Sequence, residues 1–207
     1  VAMLARPDHA LLLDFADDSV TPVLLPLDEA GLLLLVIDTR VSHALTDGSY
    51  GDRRAECAAA AEALGVDEVS QAAPSAVEAL PDDVLRRRAR HVLTENARVR
   101  RAVEHIDADD WSSLGAVLDA SHASMRDDFE ISCRELDLAV ASARTAGALG
   151  ARMTGGGFGG SAVALVPASR IQEVKRVVTR TFADAGLRDP AYLVATPGDA
   201  ARVEALS

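Results

Sequence analysis

Cysteine is scarce in this chain, with Cys57 and Cys133 the only two among 207 residues. Two cysteines cannot form the disulfide framework of a small secreted domain, so they indicate the reducing cytoplasm. Long apolar runs are also missing. The longest, residues 30–37, is far too short to cross a bilayer, and no signal peptide is recognisable. The sequence therefore argues against both a membrane-spanning protein and a disulfide scaffold.

Positive charge is also in short supply, since 21 basic residues face 32 acidic ones and the net charge is −11. Such a surface repels phosphate backbones and anionic lipids, so neither a nucleic-acid nor a membrane partner is expected. The arginine cluster at residues 86–90 is then interpreted as the solvated face of a helix. No metal site is predicted, because metal-ligand spacing is absent among the five histidines, His9, His43, His91, His105 and His122.

Apolar residues make up 49% of the chain, enough for the core of a single domain. Runs at residues 10–15, 21–27 and 31–39 predict three strands, interpreted as a small antiparallel meander. Residues 55–64 predict a helix that ends at Gly65. The C-terminal part predicts strand, glycine-rich loop, strand, helix (ending at Gly186) and a strand over residues 191–196. This order indicates an α+β fold in which an antiparallel sheet carries packed helices.

The middle of the chain predicts several helices. One has an apolar stripe that includes Asn96, whose amide is either satisfied by neighbouring backbone, the favoured alternative, or faces a polar cleft. The stripe consists of Leu85, Ala89, Val92, Asn96, Val99 and Val103.

Helix starts are predicted from capping residues. Asp109 or Asp110 is expected to cap a helix that runs to about Ser124. Two capping boxes are expected to open later helices, formed by Ser132 with Glu135 and by Ser169 with Gln172.

Glycine occupies five of the six positions from 155 to 160, inside an otherwise apolar region. The spacing matches a dinucleotide fingerprint, but the next segment predicts a strand where that fingerprint needs a helix. A phosphate-binding P-loop is excluded because no Gly-Lys-Ser/Thr ends the run. Two uses remain open: a backbone that a ligand approaches closely, or a tight turn with close packing.

Several segments together resemble the galactokinase family, in family order over nearly the whole chain. They are Ser42-His43, Ser49-Tyr50-Gly51-Asp52-Arg53-Arg54-Ala55-Glu56-Cys57, residues 90–96, Ser121-His122-Ala123-Ser124-Met125-Arg126-Asp127-Asp128-Phe129-Glu130-Ile131-Ser132 and Met153-Thr154-Gly155-Gly156-Gly157-Phe158-Gly159-Gly160. Galactokinases are GHMP-superfamily enzymes that phosphorylate the anomeric hydroxyl of galactose with MgATP. The resemblance implies that residues 1–207 form the C-terminal domain of a two-domain kinase, with residues 1–40 near the interdomain junction.

The family's sugar-binding opening signature and its phosphate loop have no counterpart here. The resemblance places the catalytic aspartate just upstream of Val1, so no catalytic residue is expected in this chain. The expected partners are galactose, ATP and an N-terminal domain, which would supply most ligands of Mg²⁺. The chain alone is expected to be inactive.

By resemblance, Tyr50 contacts the galactose, although packing is the ordinary role of such a tyrosine. The glycine loop is expected to line the cleft beside the sugar and the transferred phosphoryl group, through Gly155, Gly156, Gly157, Gly159 and Gly160. Arg126, Asp127 and Asp128 are expected to surround the site without an assigned role. Asp127, Asp128 and Glu130 are otherwise interpreted as capping and turn residues before a helix start, and Arg53 and Arg54 as structural.

Two alternative functions stay open. One is a kinase-derived sensor that binds galactose and ATP but regulates a protein partner. The other is a GHMP kinase for another sugar, a polyol phosphate or an amino alcohol.

Overall fold

The computed structural model describes residues 4, 6–41 and 49–198 as a mixture of helices and antiparallel strands. This confirms the α+β prediction. The strands are β1 (His9–Asp14), β2 (Ser19–Leu24), β3 (Leu32–Asp38), β4 (Gly150–Thr154), β5 (Ser161–Pro167) and β6 (Ala191–Ala195). The helices are α1 (Ser49–Leu64), α2 (Pro74–Glu78), α3 (Asp83–Asp107), α4 (Trp111–Asp127), α5 (Arg134–Thr145) and α6 (Ile171–Asp184), with short 3₁₀ turns at Val69–Gln71 and Ala168–Arg170.

The three N-terminal strands do not form the predicted meander. β1 and β2 make an isolated antiparallel hairpin, whereas β3 lies inside a four-stranded antiparallel sheet of order β4-β5-β3-β6. The physical reason lies in composition. β2 contains Pro22 and is mostly exposed, as suits a peripheral strand, whereas β3 is an almost continuous aliphatic run that needs burial. Its Leu35 and Ile37 are fully buried.

The main core lies between one face of this sheet and helices α5 and α6. The apolar stripes predicted for these helices are confirmed, with Leu136, Val140 and Ala143 of α5 packing beside Val174, Val178 and Phe182 of α6. Leu35, Ile37, Ala151, Met153 and Val166 supply the sheet side of the same core. Burying each large side chain contributes about 1.5–3 kcal/mol, so this layer fixes the sheet that carries the glycine loop.

Helix α4 approaches strand β4 so closely that their backbones touch. A Cβ at Gly115 of α4 would lie 2.0 Å from the carbonyl oxygen of Leu149, and one at Gly150 of β4 would lie 2.1 Å from the carbonyl oxygen of Gly115. Only glycine at both positions permits this contact. The short distance lets polar side chains of α4 reach the edge of β4.

Helix α3 differs from its predicted stripe. Asn96 is exposed and Val99 is 44% exposed, so the expectation of a buried amide at Asn96 is wrong. The apolar contact with α1 runs instead through Leu85, Ala89 and Val92. A second face of α3 is polar: Arg88, His91 and Arg98 are buried and Glu95 is half-buried. His91 and Glu95 contact Ser124 and Ser121 of α4. The interpretation of residues 86–90 as a solvated face is therefore also wrong for Arg88, which is 2% exposed.

Some helix ends were predicted correctly and others were not. Asp110 caps α4 by accepting a hydrogen bond from the Ser113 amide, and Gly65 and Gly186 follow α1 and α6 with positive φ, as expected. Both capping boxes are wrong: α5 and α6 begin without a side-chain cap. At α5 the N-cap position falls on Cys133, one residue after Ser132, and the Ser132 hydroxyl donates to the carboxylate of Asp137.

Within the described residues, no helix combines the length and the hydropathy that a bilayer crossing requires. Cys57 and Cys133 are both free.

Candidate functional site

The glycine loop, residues 155–160, joins β4 to β5, so the strand–loop–strand prediction is confirmed. The two uses that the sequence left open, ligand approach and close packing, fall on different glycines of the loop. A Cβ at Gly157, where φ is +89°, would lie 2.4 Å from the carbonyl oxygen of Ile131, whereas Gly155 and Gly156 have open space around them. The later part of the loop is therefore packed against protein, and the earlier part is exposed.

Two neighbouring segments hold the packed part of the loop. The Phe158 amide donates to the carbonyl of Ile131 at 2.7 Å, and the Gly160 amide donates to the carbonyl of Val41 at 3.0 Å. The carbonyl of Gly160 accepts from both the amide and the hydroxyl of Thr39, at 3.0 and 2.7 Å. These bonds leave the exposed tip at Gly155 and Gly156 on a rigid base, which is what close approach of a ligand to a backbone requires.

Tyr50 lies in the first turn of α1, and its side chain is 74% exposed. The resembling residues Ser42 and His43, which precede it, fall outside the described residues. Exposure leaves the phenol available to a ligand, and its contact with a sugar stays a prediction. Helix α1 is held in place two turns later by Glu56, which accepts a hydrogen bond from Arg88 at 2.6 Å.

The acidic cluster of Asp127, Asp128 and Glu130 lies at the end of α4 and before the start of α5, as expected, but none of its side chains caps α5. Helix α4 continues to Asp127, and Asp128 forms its C-cap, because the helix runs three residues beyond the predicted end. Carboxylates at a helix C-terminus are unfavourable unless cations compensate them, and here arginines do so. Arg126 pairs with Asp127 at 2.7 Å, and Arg90 lies 3.4 Å from Asp128.

Arg88 is the buried residue beside the candidate site that the sequence interpretation missed. Its guanidinium donates to Glu56 at 2.6 Å, to Glu130 at 2.5 Å and to the carbonyl of Asp128 at 2.5 Å. It thereby ties α1 and α3 to the segment that carries Ile131 and the base of the glycine loop. The sequence signal that could have identified it is the spacing of polar residues at positions 88, 91, 95 and 98, which puts them on one face of a helix.

Two carboxylates at the end of α4 and just after it, those of Asp127 and Glu130, are poor bases in this setting. Hydrogen bonds from Arg87 and then Arg88 lower the pKa of Glu130 to about 2, and the Arg126 guanidinium lowers the pKa of Asp127. Such groups remain ionised and hold little affinity for a substrate proton. Their geometry suits electrostatic support of the loop rather than deprotonation of a hydroxyl.

The polar interface between α3 and α4 continues behind this cluster. His91 places Nδ1 3.0 Å from the Ser124 hydroxyl and stacks on Phe129, and burial lowers its pKa to about 4. Burial favours the neutral form of Glu95, but hydrogen bonds from Ser121 and Arg98 outweigh it and hold the pKa of Glu95 below its usual value. In the described part of the chain, no three His, Cys, Asp or Glu side chains are grouped closely enough to hold a metal ion.

Comparison with known proteins shows what this chain is similar to. Residues 100–184 match the family model described as GHMP kinases C terminal. These residues are similar to the C-terminal domain of GHMP kinases. The chain matches the crystal structure of Lactococcus lactis galactokinase complexed with galactose, with a TM-score of 0.86 and 30% identity over 94% of this chain and 52% of that one.

Among curated relatives, this chain is 48% identical to galactokinase of Streptomyces coelicolor, over 94% of this chain and 51% of the relative. Galactokinase of Mycobacterium tuberculosis is 45% identical over 96% of this chain and 56% of its own length. The chain thus spans about half the length of the curated relatives it matches. A homoserine kinase from Cytophaga hutchinsonii, at 17% identity and a TM-score of 0.53, shares the fold alone.

Proposed function

We propose that this chain is the C-terminal part of a galactokinase, which transfers the γ-phosphoryl group of ATP to O1 of galactose and yields galactose 1-phosphate and ADP. The observation that carries the proposal is 48% identity to a galactokinase across 94% of the chain. Its high structural similarity to a galactokinase complexed with galactose supports the same choice. The homoserine kinase, at 17% identity, offers fold likeness only.

In this proposal the glycine loop forms one wall of the substrate cleft. Phosphoryl transfer depends mainly on positioning the reactants and stabilising charge, so a rigid wall with a bare tip is a suitable contribution. Gly155 and Gly156 would let the sugar and the transferred phosphoryl group approach the backbone, while Gly157, Gly159 and Gly160 hold the loop to its base. Tyr50 would donate a hydrogen bond to a sugar hydroxyl.

The remaining chemistry is assigned to the part of a galactokinase that lies outside this chain. The aspartate that orients the attacking hydroxyl is expected there, together with most ligands of Mg²⁺, which neutralises phosphate charge when bound. The described residues do not offer a grouped set of metal ligands. Arg126, Asp127 and Asp128 would act around the cleft by fixing the end of α4. We expect the whole protein to work in the cytoplasm, with galactose, ATP and its own N-terminal domain as partners.

A coupled ADP-release assay tests the proposal with two proteins: this 207-residue chain, and a polypeptide of galactokinase length that contains it. Galactose, glucose, mevalonate and homoserine serve as candidate acceptors with MgATP. We expect turnover only in the longer protein and only with galactose. Turnover by the short chain at roughly 1–100 s⁻¹, the usual range for kinases, would overturn its assigned role as a partial enzyme. Preference of the longer protein for another acceptor would overturn the substrate assignment.

Tyr50→Phe in the longer protein tests the sugar contact. Loss of one neutral hydrogen bond worth about 0.5–1.5 kcal/mol should lower kcat/KM for galactose roughly 2- to 13-fold. The matched control is Tyr192→Phe, because Tyr192 is the other tyrosine and its hydroxyl binds Thr179 and the carbonyl of Lys175 on α6. The control should leave kcat/KM unchanged. An unchanged kcat/KM in Tyr50→Phe would remove Tyr50 from the site.

A further inference from the structure

Strand β4, which leads into the glycine loop, is an edge strand of the four-stranded sheet. Its outward amides would lack partners if nothing covered this edge. Two side chains of α4 fill the role of the absent strand. The Asp119 carboxylate accepts from the Ala151 amide at 2.9 Å, and Nδ1 of His122 accepts from the Met153 amide at 3.3 Å.

The spacing of these contacts follows from the periodicity of an α-helix and that of a β-strand. Residues three apart on a helix share a face, and residues two apart on a strand point their amides to the same edge. The backbone contact between Gly115 and Gly150 brings the two elements close enough for short side chains to bridge them. Helix α4 therefore holds β4 up to Met153, two residues before Gly155.

The other nitrogen of His122 faces α5. Nε2 lies 3.2 Å from Oδ1 of Asp137, a close polar contact that is not aligned as a hydrogen bond. The same Oδ1 accepts from the Ser132 hydroxyl at 2.6 Å. Ser132 follows Ile131, whose carbonyl accepts the amide of Phe158 in the glycine loop. His122 thus lies between the strand that enters the loop and the segment on which the loop rests.

We infer that His122 is a positioning residue of this chain, which sets the glycine loop by holding β4 and the Ile131–Ser132 segment at a fixed separation. The inference rests on the proposed function only for its kinetic consequence. His122 is 4% exposed.

The arrangement requires one neutral tautomer. Because Nδ1 accepts the Met153 amide, the proton of the neutral ring must be on Nε2, toward Asp137. Burial and the neighbouring Arg126 and Arg152 oppose a second proton, while Asp137 favours it, and the pKa of His122 is lowered overall. The Asp127 carboxylate also has an electrostatic interaction with this ring. Protonation would set an N–H of the ring against the Met153 N–H and break the bond to β4.

Two substitutions separate the two contacts. The amide oxygen of His122→Asn occupies roughly the place of Nδ1 and keeps an acceptor for Met153, whereas His122→Gln reaches toward Asp137 and loses that acceptor. His91→Asn is the matched control, since His91 is also buried but its Nδ1 binds Ser124 rather than β4. Amide hydrogen exchange of Met153 and the loop is measured in the longer protein at pH 7, beside kcat and KM for galactose.

We expect His122→Gln to speed exchange at Met153 and in the loop by about tenfold, the usual effect of losing one hydrogen bond locally. His122→Asn should retain protection at Met153, and His91→Asn should change loop exchange no more than global exchange. In the His122→Gln enzyme kcat should fall with little change in KM. Nitrogen NMR of the wild-type imidazole should place the proton on Nε2.

Loop exchange that is unchanged in His122→Gln, or that rises equally in His91→Asn, would overturn the inference, as would a neutral ring protonated on Nδ1. Because exchange and NMR do not depend on catalysis, they can support the positioning role even if the galactokinase assay fails. Normal exchange beside normal galactose turnover would instead refute the positioning role and leave the proposed function standing.

Discussion

Replacing Arg88 with methionine removes the guanidinium that joins α1, α3 and the segment after α4, while keeping most of the side-chain volume. Arg88 is 2% exposed and makes three short hydrogen bonds, two of them to carboxylates. Removing one partner of a buried ion pair costs about 3–5 kcal/mol, because the other charge is left without compensation.

The lower end of this range applies here. Glu56 keeps Arg53 at 2.6 Å, and Glu130 keeps Arg87 at 2.7 Å and is 46% exposed, so both carboxylates retain a partner and some water. We therefore expect a loss of about 3 kcal/mol in the free energy of unfolding, which corresponds to a fall in Tm of roughly 6–12 °C for a domain of this size.

Thermal unfolding followed by circular dichroism at pH 7 measures this loss, and Arg87→Met is the matched control. Arg87 is the adjacent residue, but its side chain is 24% exposed and its ion pairs with Asp83 and Glu130 are open to water. Such pairs contribute about 0–1 kcal/mol, so its Tm should fall by less than about 4 °C. Equal shifts in the two variants, or a rise in Tm for Arg88→Met, would refute the assignment of Arg88 as a buried junction.

Two further predictions concern the loop and the α3–α4 interface. Gly157→Ala should lower the free energy of chemical unfolding by about 2–4 kcal/mol, because its Cβ would clash with the Ile131 carbonyl at positive φ. Gly155 has a similar φ but open space around it, so Gly155→Ala should cost only about 1 kcal/mol. Equal losses would contradict the packing argument. Burial lowers the pKa of His91 to about 4. As the pH falls below about 6.5, the unfolded chain therefore binds a proton at this residue before the folded chain does. The free energy of unfolding should then drop by about 2–3 kcal/mol between pH 7 and pH 4.5. His91→Phe should flatten this pH dependence in urea unfolding, and an unchanged slope would assign it to other groups.

The parts of the fold that the sequence predicted are those set by local pattern. The stripe of Val174, Val178 and Phe182 predicts a helix because its period is 3.6, and glycines beyond the last turn mark where helices end. The strands on either side of the glycine loop were predicted for a similar reason. In each case neighbouring residues carry the whole signal.

The missed features depend on partners far along the chain. Arg88 looks like a surface arginine until Glu56 and Glu130, 32 and 42 residues away, surround it. The pairing of β3 with β5 joins residues more than 120 positions apart, so a local pattern could give the strand but not its neighbour. Ser132 has the spacing of a capping box, yet the helix takes Cys133 as its N-cap, and the Ser132 hydroxyl donates to the carboxylate of Asp137 five residues later.

These distant contacts converge on the short segment after α4, residues 128–133. Arg88 binds it to the helix that carries Tyr50, the Ile131 carbonyl binds it to the glycine loop, and Ser132 connects it through Asp137 to His122. A displacement of this segment would therefore move the predicted sugar contact and the loop relative to each other. Because effective positioning tolerates errors of well under 1 Å, substitutions at this junction should impair catalysis in the longer protein even though no substrate-contacting side chain is itself replaced.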